Sequence, residues 1–217
     1  MPKTLPQRKN PFITLRSDPP LTTLGYFHAK LAGEELLELG VKINHIYTSP
    51  TLRCIQTANA IIEALQIPNL KFNIEPGLLQ WTRFCRGKIP IFMTSRECEK
   101  ARYNINPNYQ PIYLTERLSL TETMDDFYAR SHEVVKMALR MTEGNVLFVG
   151  HGGTLFSCTT QLCGLPIPSE QEAYNQFINT QYLDCKEAQE QTDGLYMLND
   201  SPILPFTCSG HRKNETL

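Results

Sequence analysis

The residues best suited to chemistry lie in a short run around a histidine flanked by glycines. An apolar stretch leads into it, and it reads Val149-Gly150-His151-Gly152-Gly153-Thr154. A strand that passes at once into a helix leaves free N–H groups at the positive end of the helix dipole. Glycines let a ligand approach the backbone, and protonated His151 would hold a phosphate oxygen. We predict an anion site with Gly152 among its binding residues; a tight turn with a hydrogen-bonded His151 is the alternative.

A second run places an arginine in the first turn of a predicted helix. It reads Ser49-Pro50-Thr51-Leu52-Arg53-Cys54-Ile55-Gln56-Thr57-Ala58. The helix dipole disfavours a cation there, and a bound anion would remove that penalty while occupying the guanidinium fork. Thr57, one turn later, adds a hydroxyl group. We predict that Arg53 and Thr57 bind phosphate; a surface arginine is the alternative.

The elements that must position these residues alternate between short strands and helices. Apolar periodicity predicts helices at 22–40, 52–65, 124–141 and 154–163, and strands at 41–47, 70–74, 146–149 and 195–198. Strand 146–149 is apolar throughout, which is typical of a strand buried on both faces of a parallel sheet. The sequence therefore predicts an α/β fold with a mainly parallel sheet.

The chain divides unevenly around these elements. Residues 1–20 are Pro-rich and are predicted to form an arm, in which only 12–15 could make a short strand. Residues 21–217 are predicted to form one domain. Within it, 76–120 is expected to be an irregular insertion on the surface of the sheet, with one short helix near 95–103.

Composition excludes several classes of protein. The 217 residues carry 21 Lys+Arg against 22 Asp+Glu, so we expect no nucleic-acid partner. No apolar stretch approaches the roughly 20 residues that span a bilayer, so we expect no membrane association. The 7 cysteines are odd in number and lack C-x-x-C spacing. They indicate reduced thiols in a cytoplasmic or nuclear protein, with no metal site. No nucleotide or other cofactor motif is present.

Four stretches together resemble the histidine phosphatase superfamily, which has the phosphoglycerate-mutase-like fold. They are 18–25, 49–58, 75–82 and 150–154, in the order that the family has them. Within the superfamily they are most similar to the phosphatase domains of ubiquitin-associated and SH3-containing proteins and of ecdysteroid-phosphate phosphatases. The resemblance spans about residues 5 to 210. It implies a three-layer α/β/α fold, with Arg53 and His151 as the family's phosphate-binding arginine and second histidine.

Two departures from the family count against activity. Such enzymes open with a central strand ending in Arg-His-Gly, whose histidine accepts the phosphoryl group, and these 217 residues contain no Arg-His-Gly. The family's general acid is the second glutamate of Glu-Pro-Gly-x-x-Glu-Trp, and Gln80 stands there. A carboxamide cannot donate that proton, and losing a general acid typically costs about 10² to 10⁴ in rate. Glu75 is the one nearby carboxyl that could substitute.

Three functions follow from this combination. The first is a catalytically impaired domain, with vestigial Arg53, His151 and Gln80, that binds a phosphorylated small molecule or a phosphoprotein. The second is a truncated form of an active acid phosphatase that works through a phosphohistidine. The third is an interaction module, as a homodimer or a heterodimer with an active relative. Residues 12–15, a second chain or further sequence would fill the place of the missing central strand.

Overall fold

A three-stranded parallel sheet organises the computed structural model, which describes residues 5–67 and 69–203. Strand β1 pairs in parallel with both of its neighbours, in the order β2-β1-β3. A separate antiparallel pair joins β4 to β5. The strands are β1 (His45–Thr48), β2 (Phe72–Ile74), β3 (Val146–Val149), β4 (Glu187–Glu190) and β5 (Tyr196–Asn199). The predicted α/β class with a mainly parallel sheet is confirmed.

Seven α-helices lie in the described residues. They are α1 (Pro11–Ser17), α2 (Thr23–Glu38), α3 (Leu52–Leu65), α4 (Ser95–Lys100), α5 (Met124–Met141), α6 (Gly152–Thr159) and α7 (Glu170–Asn179). The predicted bounds of α3, α5 and β3 are confirmed, because each follows a clear apolar pattern with a sharp end. The hydroxyl of Thr123 caps α5 by accepting from the N–H of Asp126, and the carboxylate of Asp126 accepts from the N–H of Thr123.

The alternation of side chains along the strands builds three layers. Ile46 and Phe72 are fully buried on one face, where they pack against α2 and α3. Tyr47 and Phe148 point to the opposite face, where they pack against α5 and α6. Successive strand residues face opposite sides of a sheet, so one short sheet supports two apolar cores. Because β1 and β3 are parallel neighbours, their C-terminal ends lie side by side.

The first 20 residues differ from the prediction. Residues 12–15, expected to form at most a strand, lie within helix α1, whose first residue is Pro11. Proline is well suited to the first position of a helix because its fixed φ is helical and the missing N–H has no partner there. The buried side chains of Arg8 and Asp18 form an ion pair at 3.1 Å. The division into an arm and a domain stays a prediction, but this part of the arm packs closely.

Strand β3 also differs from the expectation of burial on both faces. Val146, Leu147 and Phe148 are only half-buried, and Val149 alone is buried. The physical reason is the position of β3, which is an edge strand in the described sheet. An edge strand leaves half of its backbone hydrogen-bonding groups without a ladder partner.

One further helix has bounds close to those predicted, and two elements were not predicted. The helix expected at 154–163 begins at Gly152 and ends at Thr159, and α7 and β4 were not foreseen. The six described cysteines are free thiols, and Cys208 lies outside the described residues. Within residues 5–67 and 69–203, no helix has the length and apolar character needed to cross a membrane.

Candidate functional site

The two sequence runs meet where the parallel strands β1 and β3 end. Strand β1 leads through Ser49 into α3, which carries Arg53, and β3 leads through Gly150 into α6, which His151 precedes. The Nη2 atom of Arg53 lies 3.0 Å from Nδ1 of His151 and 2.9 Å from Oε1 of Gln80. Crevices at the carboxyl ends of parallel strands are the usual ligand sites of α/β sheets. Three of the predicted site residues are therefore in direct contact.

The contact with Arg53 fixes the protonation state of His151. A guanidinium group only donates hydrogen bonds, so Nδ1 of His151 must accept and cannot carry a proton. The ring proton lies on Nε2, which donates to Oγ of the buried Ser49 at 2.8 Å. Burial, followed by the charges of Arg53 and Arg130, holds the pKa of His151 well below its ordinary value. The sequence suggested a protonated His151, whereas the geometry requires a neutral ring.

Ser49 and Cys54 are site residues that sequence reasoning missed. Ser49 accepts the hydrogen bond from His151, so the imidazole is the donor here and does not activate the hydroxyl as a base. The thiol of Cys54 donates to the backbone oxygen of Gly150 at 3.2 Å and lies 3.8 Å from Nε2 of His151. Both residues stand in the run around Arg53, but nothing in their types signals a contact with a histidine about 100 residues away.

A cavity of about 180 Å³ opens beside this cluster. Its wall combines polar groups of the cluster with large apolar side chains: Gln80, Trp81, Phe84, His151, Gly152, Gly153, Phe177 and Ile178. Arg53 is not among these lining residues, but it contacts two of them, Gln80 and His151. Thr57 is half-buried on α3 and does not line this cavity either. Its predicted role in binding phosphate stays a prediction.

The N-terminus of α6 faces this cavity. Its two glycines have a structural purpose that the sequence did not reveal. A Cβ atom on Gly153 would lie 3.2 Å from the ring of Phe177, and one on Gly152 would lie 3.0 Å from the backbone oxygen of Phe177. The glycines therefore let α7 pack closely over the start of α6. Helix α7 was detectable from its capping box, in which Ser169 and Glu172 bond reciprocally.

The N-terminus of α3 already has an anion supplied by the chain. Oδ1 of Asp18 accepts a hydrogen bond from the backbone N–H of Leu52 at 2.8 Å, and its other oxygen pairs with Arg8. The side chain of Asp18 is fully buried, and burial raises its pKa above the ordinary value. The sequence predicted that a bound anion offsets the helix dipole beside Arg53. In the structure a carboxylate from the segment before α2 already lies at this helix end, and the binding of phosphate by Arg53 stays a prediction.

Glu75, the carboxyl that the sequence offered as a substitute acid, lies in a buried position away from the cavity lining. Its side chain is fully buried and accepts four hydrogen bonds, from Gly77 N, Tyr109 Oη, Ile112 N and Tyr113 N, at 2.6 to 3.1 Å. These bonds pin two loops together, and Glu75 does not line the cavity. Elsewhere in the described ranges, no group of three or more His, Cys, Asp or Glu side chains could hold a metal ion.

Comparison with known proteins identifies the class of this domain. The model of the histidine phosphatase superfamily (branch 1) matches residues 4–191. The chain belongs to this superfamily. It is 37% identical over 217 residues to the ecdysteroid-phosphate phosphatase of Drosophila melanogaster, covering 99% of this chain and 28% of the relative. It is 36% identical over 228 residues to human ubiquitin-associated and SH3 domain-containing protein B, covering 100% of this chain and 35% of that protein.

A solved structure supports the same fold. The ecdysone phosphate phosphatase of Bombyx mori, in complex with tungstate, superimposes with a TM-score of 0.79 at 29% identity. The match covers 99% of this chain and 84% of that structure. The chain spans about a third or less of the length of the two curated relatives named above.

Proposed function

We propose that this domain binds the phosphate group of a phosphomonoester at Arg53, His151 and Gln80, without turning it over. The observation that carries the proposal is the guanidinium of Arg53, which contacts both His151 and Gln80 at the wall of a cavity. A phosphate oxygen is a stronger acceptor than either partner because it carries charge. The N–H groups at the start of α6 face the same cavity and favour an anion.

The absence of turnover is proposed from the chemistry of Gln80 and His151, two polar side chains that line the cavity. The amide of Gln80 accepts a hydrogen bond from Arg53, and its N–H groups are too weakly acidic to protonate a leaving group. The imidazole of His151 uses Nδ1 toward Arg53 and Nε2 toward Ser49, so neither nitrogen is free to attack phosphorus. Covalent phosphoryl transfer needs a free nucleophile and benefits from a general acid.

The apolar part of the cavity supports a particular class of ester. Trp81, Phe84 and Phe177 line it, so a flat apolar group attached to the phosphate would be buried there. A steroid phosphate has this form, and two of the relatives above are named for ecdysteroid or ecdysone phosphate. An aromatic phosphoester on a small molecule or a phosphoprotein has it as well. A sugar phosphate or an alkyl phosphate offers less apolar surface.

The test is a calorimetric titration of the 217-residue chain with phenyl phosphate and with glycerol phosphate. We expect phenyl phosphate to bind more tightly, and Arg53→Ala to lower its affinity by about 10- to 100-fold, because a hydrogen bond to a charged group contributes about 1.5–3 kcal/mol. The matched control is Arg140→Ala, which removes an exposed arginine near the opposite edge of the sheet. Equal affinity for Arg53→Ala and the wild type would contradict the proposal.

Turnover is measured separately, with para-nitrophenyl phosphate from pH 4 to 8. We expect no hydrolysis by folded protein. Hydrolysis that His151→Ala abolishes would replace the binding function with an enzymatic one. A folded chain that binds neither ester would instead favour the interaction module.

A second candidate function is a phosphomonoesterase whose phosphoryl acceptor comes from a strand paired with β3. The observation that favours it is the edge position of β3, whose first three residues are half-buried and whose end leads into Gly150 and His151. A strand added in parallel would end beside Arg53. The test is to add an apolar peptide ending in Arg-His-Gly to the folded chain. Hydrolysis that depends on the peptide's histidine would support this candidate.

A further inference from the structure

The loop that carries Gln80 is held by a buried ion pair outside the cavity. Arg130 on α5 is 2% exposed, and its Nη1 donates to the backbone oxygens of Gly77 at 2.6 Å and Leu79 at 3.1 Å. Its Nε and Nη2 donate to the two carboxylate oxygens of Glu122, at 2.7 and 2.9 Å. Arg130 therefore binds the backbone immediately before Gln80.

Glu122 binds the backbone and side chain immediately after Gln80. Its carboxylate accepts from the backbone N–H of Thr82 at 3.2 Å, and its backbone oxygen accepts from Nε1 of Trp81 at 3.0 Å. Gln80 thus stands between two segments that are fixed by the same pair. The pair contacts the loop on both sides of Gln80, and no described hydrogen bond joins it to the side chain of Gln80.

A direct role of Arg130 in binding a ligand conflicts with its contacts. Four of the five guanidinium N–H groups are used by the bonds to Gly77, Leu79 and Glu122. The charge also lies near the ring of Phe127, at 5.2 Å from its centroid. A role in stability alone is a poor account as well, because apolar side chains of the same volume often stabilise a core equally well or better than a buried ion pair.

We infer that Arg130 and Glu122 are positioning residues that hold Gln80 against Arg53 and so preform the phosphate-binding cluster. The inference rests on the proposed function of that cluster. Gln80 accepts a hydrogen bond from Arg53, and Arg53 in turn contacts His151. A loop free to move would let Gln80 leave, and Arg53 would lose one of the two contacts that orient its guanidinium. The pair is then coupled to the site through the loop.

The experiment compares Arg130→Met, Arg130→Lys and Glu122→Gln by titration with phenyl phosphate. We expect Arg130→Met and Glu122→Gln to weaken binding about tenfold, within the range found for residues that act through a packed network. Arg130→Lys keeps the positive charge and a hydrogen-bond donor, so its affinity should lie between those of Arg130→Met and the wild type. The control is Leu36→Ala on α2, which opens the buried core on the other face of the sheet, in a cluster that contains no residue of this loop. It should destabilise the fold and leave the affinity within twofold.

Two spectroscopic readouts separate positioning from general destabilisation. In ligand-free protein, the side-chain amide signals of Gln80 should shift and broaden in Arg130→Met and Glu122→Gln, and should stay unchanged in Leu36→Ala. The charge of Arg130 contributes to the low pKa of His151. The His151 ring should therefore titrate at higher pH in Arg130→Met, and Arg130→Lys should restore the low value.

The outcomes distinguish this inference from the proposed function. If Arg53→Ala abolishes binding while Arg130→Met and Glu122→Gln bind like the wild type, the positioning role is wrong and the proposed function stands. If the wild type binds no phosphate ester, the proposed function is wrong, and unchanged Gln80 signals in the variants would reject positioning independently. Should Arg130→Met not fold, Arg130→Lys and Glu122→Gln carry the same test.

Discussion

The N-termini of α3 and α6 are neighbours at the C-terminal ends of the parallel strands, but they differ in whether a carboxylate of the chain bonds to them. The buried carboxylate of Asp18 bonds to the N–H of Leu52 and completes the N-terminus of α3. At α6, Gly152 and Gly153 line a cavity, and no hydrogen bond from a described carboxylate to this helix end is observed. Both ends carry the partial positive charge of a helix. The comparison teaches that a helix end becomes a candidate site only where the fold supplies no anion of its own.

The largest expected effect comes from breaking the α3 end. Asp18→Ala leaves the buried charge of Arg8 without its carboxylate partner and removes the acceptor for the N–H of Leu52. Removing one member of a buried ion pair typically costs about 3–5 kcal/mol. We expect a loss of this size in the free energy of unfolding, measured by urea denaturation.

The control for Asp18→Ala is Glu133→Gln, which breaks the exposed pair with Arg117. Exposed pairs contribute about 0–1 kcal/mol, so little change is expected. If Asp18→Ala costs no more than Glu133→Gln, the carboxylate does not hold the start of α3.

At the α6 end, the next effect tests why the glycines are there. Gly153→Ala would bring a Cβ atom to 3.2 Å from the ring of Phe177. Overpacking of this kind costs about 1–3 kcal/mol, and we expect that loss in urea denaturation. Phe177→Leu in the same chain should relieve part of it.

Gly25→Ala is the comparison variant, because the three atoms nearest to a Cβ there belong to the side chains of Thr22 and Leu21, at 3.3 to 3.8 Å, and none belongs to an aromatic ring. Alanine also favours a helix relative to glycine. A chain with Gly153→Ala that is as stable as one with Gly25→Ala would mean that α7 does not pack on the glycines as described.

The two helix ends also separate what the sequence could predict from what it could not. The bounds of α3 and β3 follow local apolar patterns, and the run around His151 correctly predicted a strand that leads into a helix. Asp18 could not be placed, because its contact with Leu52 spans 34 residues and depends on how α1 and α2 fold back. Its setting among prolines indicated a loop and gave no sign of a helix cap.

The residues of the candidate site divide in the same way. The family resemblance brought Arg53, His151 and Gln80 together, and the structure places them in contact. The hydroxyl of Ser49 was missed because serine after a strand is common and its partner is distant in the chain. The helix α7, which covers the start of α6, was missed although Ser169 and Glu172 form a recognisable capping box.

A third prediction sharpens the contrast between an internal anion and a bound one. Gln80→Glu places a carboxylate beside Arg53, so the site acquires an internal anion as α3 has in Asp18. We expect the affinity for phenyl phosphate to fall about tenfold, equivalent to about 1.4 kcal/mol, because the new charge pairs with Arg53 and repels the phosphate.

Gln189→Glu on the exposed strand β4 adds the same charge away from the cavity and should leave the affinity unchanged. Tighter binding by Gln80→Glu would show that Arg53 is not the group that attracts the phosphate. Hydrolysis by Gln80→Glu alone would reveal a phosphoryl acceptor already present in the chain.

The smallest predicted effect is the contribution of His151, which precedes α6, to the pH dependence of stability. The folded protein holds the pKa of His151 well below its ordinary value, whereas the unfolded chain binds a proton near pH 6.5. Below that pH the unfolded state binds more protons than the folded state, so stability falls as the pH falls. At most 1.36 kcal/mol is lost per pH unit, and we expect about 1 kcal/mol between pH 7 and pH 5.5 from His151 alone.

His151→Gln should remove this part of the pH dependence in urea denaturation at the two pH values. The control is His132→Gln, because burial and then Lys136 also lower the pKa of His132, but its side chain is less enclosed by charged neighbours. It should remove a smaller part. If His151→Gln leaves the pH dependence intact, the folded protein protonates His151 freely. In that case Arg53 cannot be donating to Nδ1, and a charged imidazole would attract the anion, in place of the neutral imidazole described above.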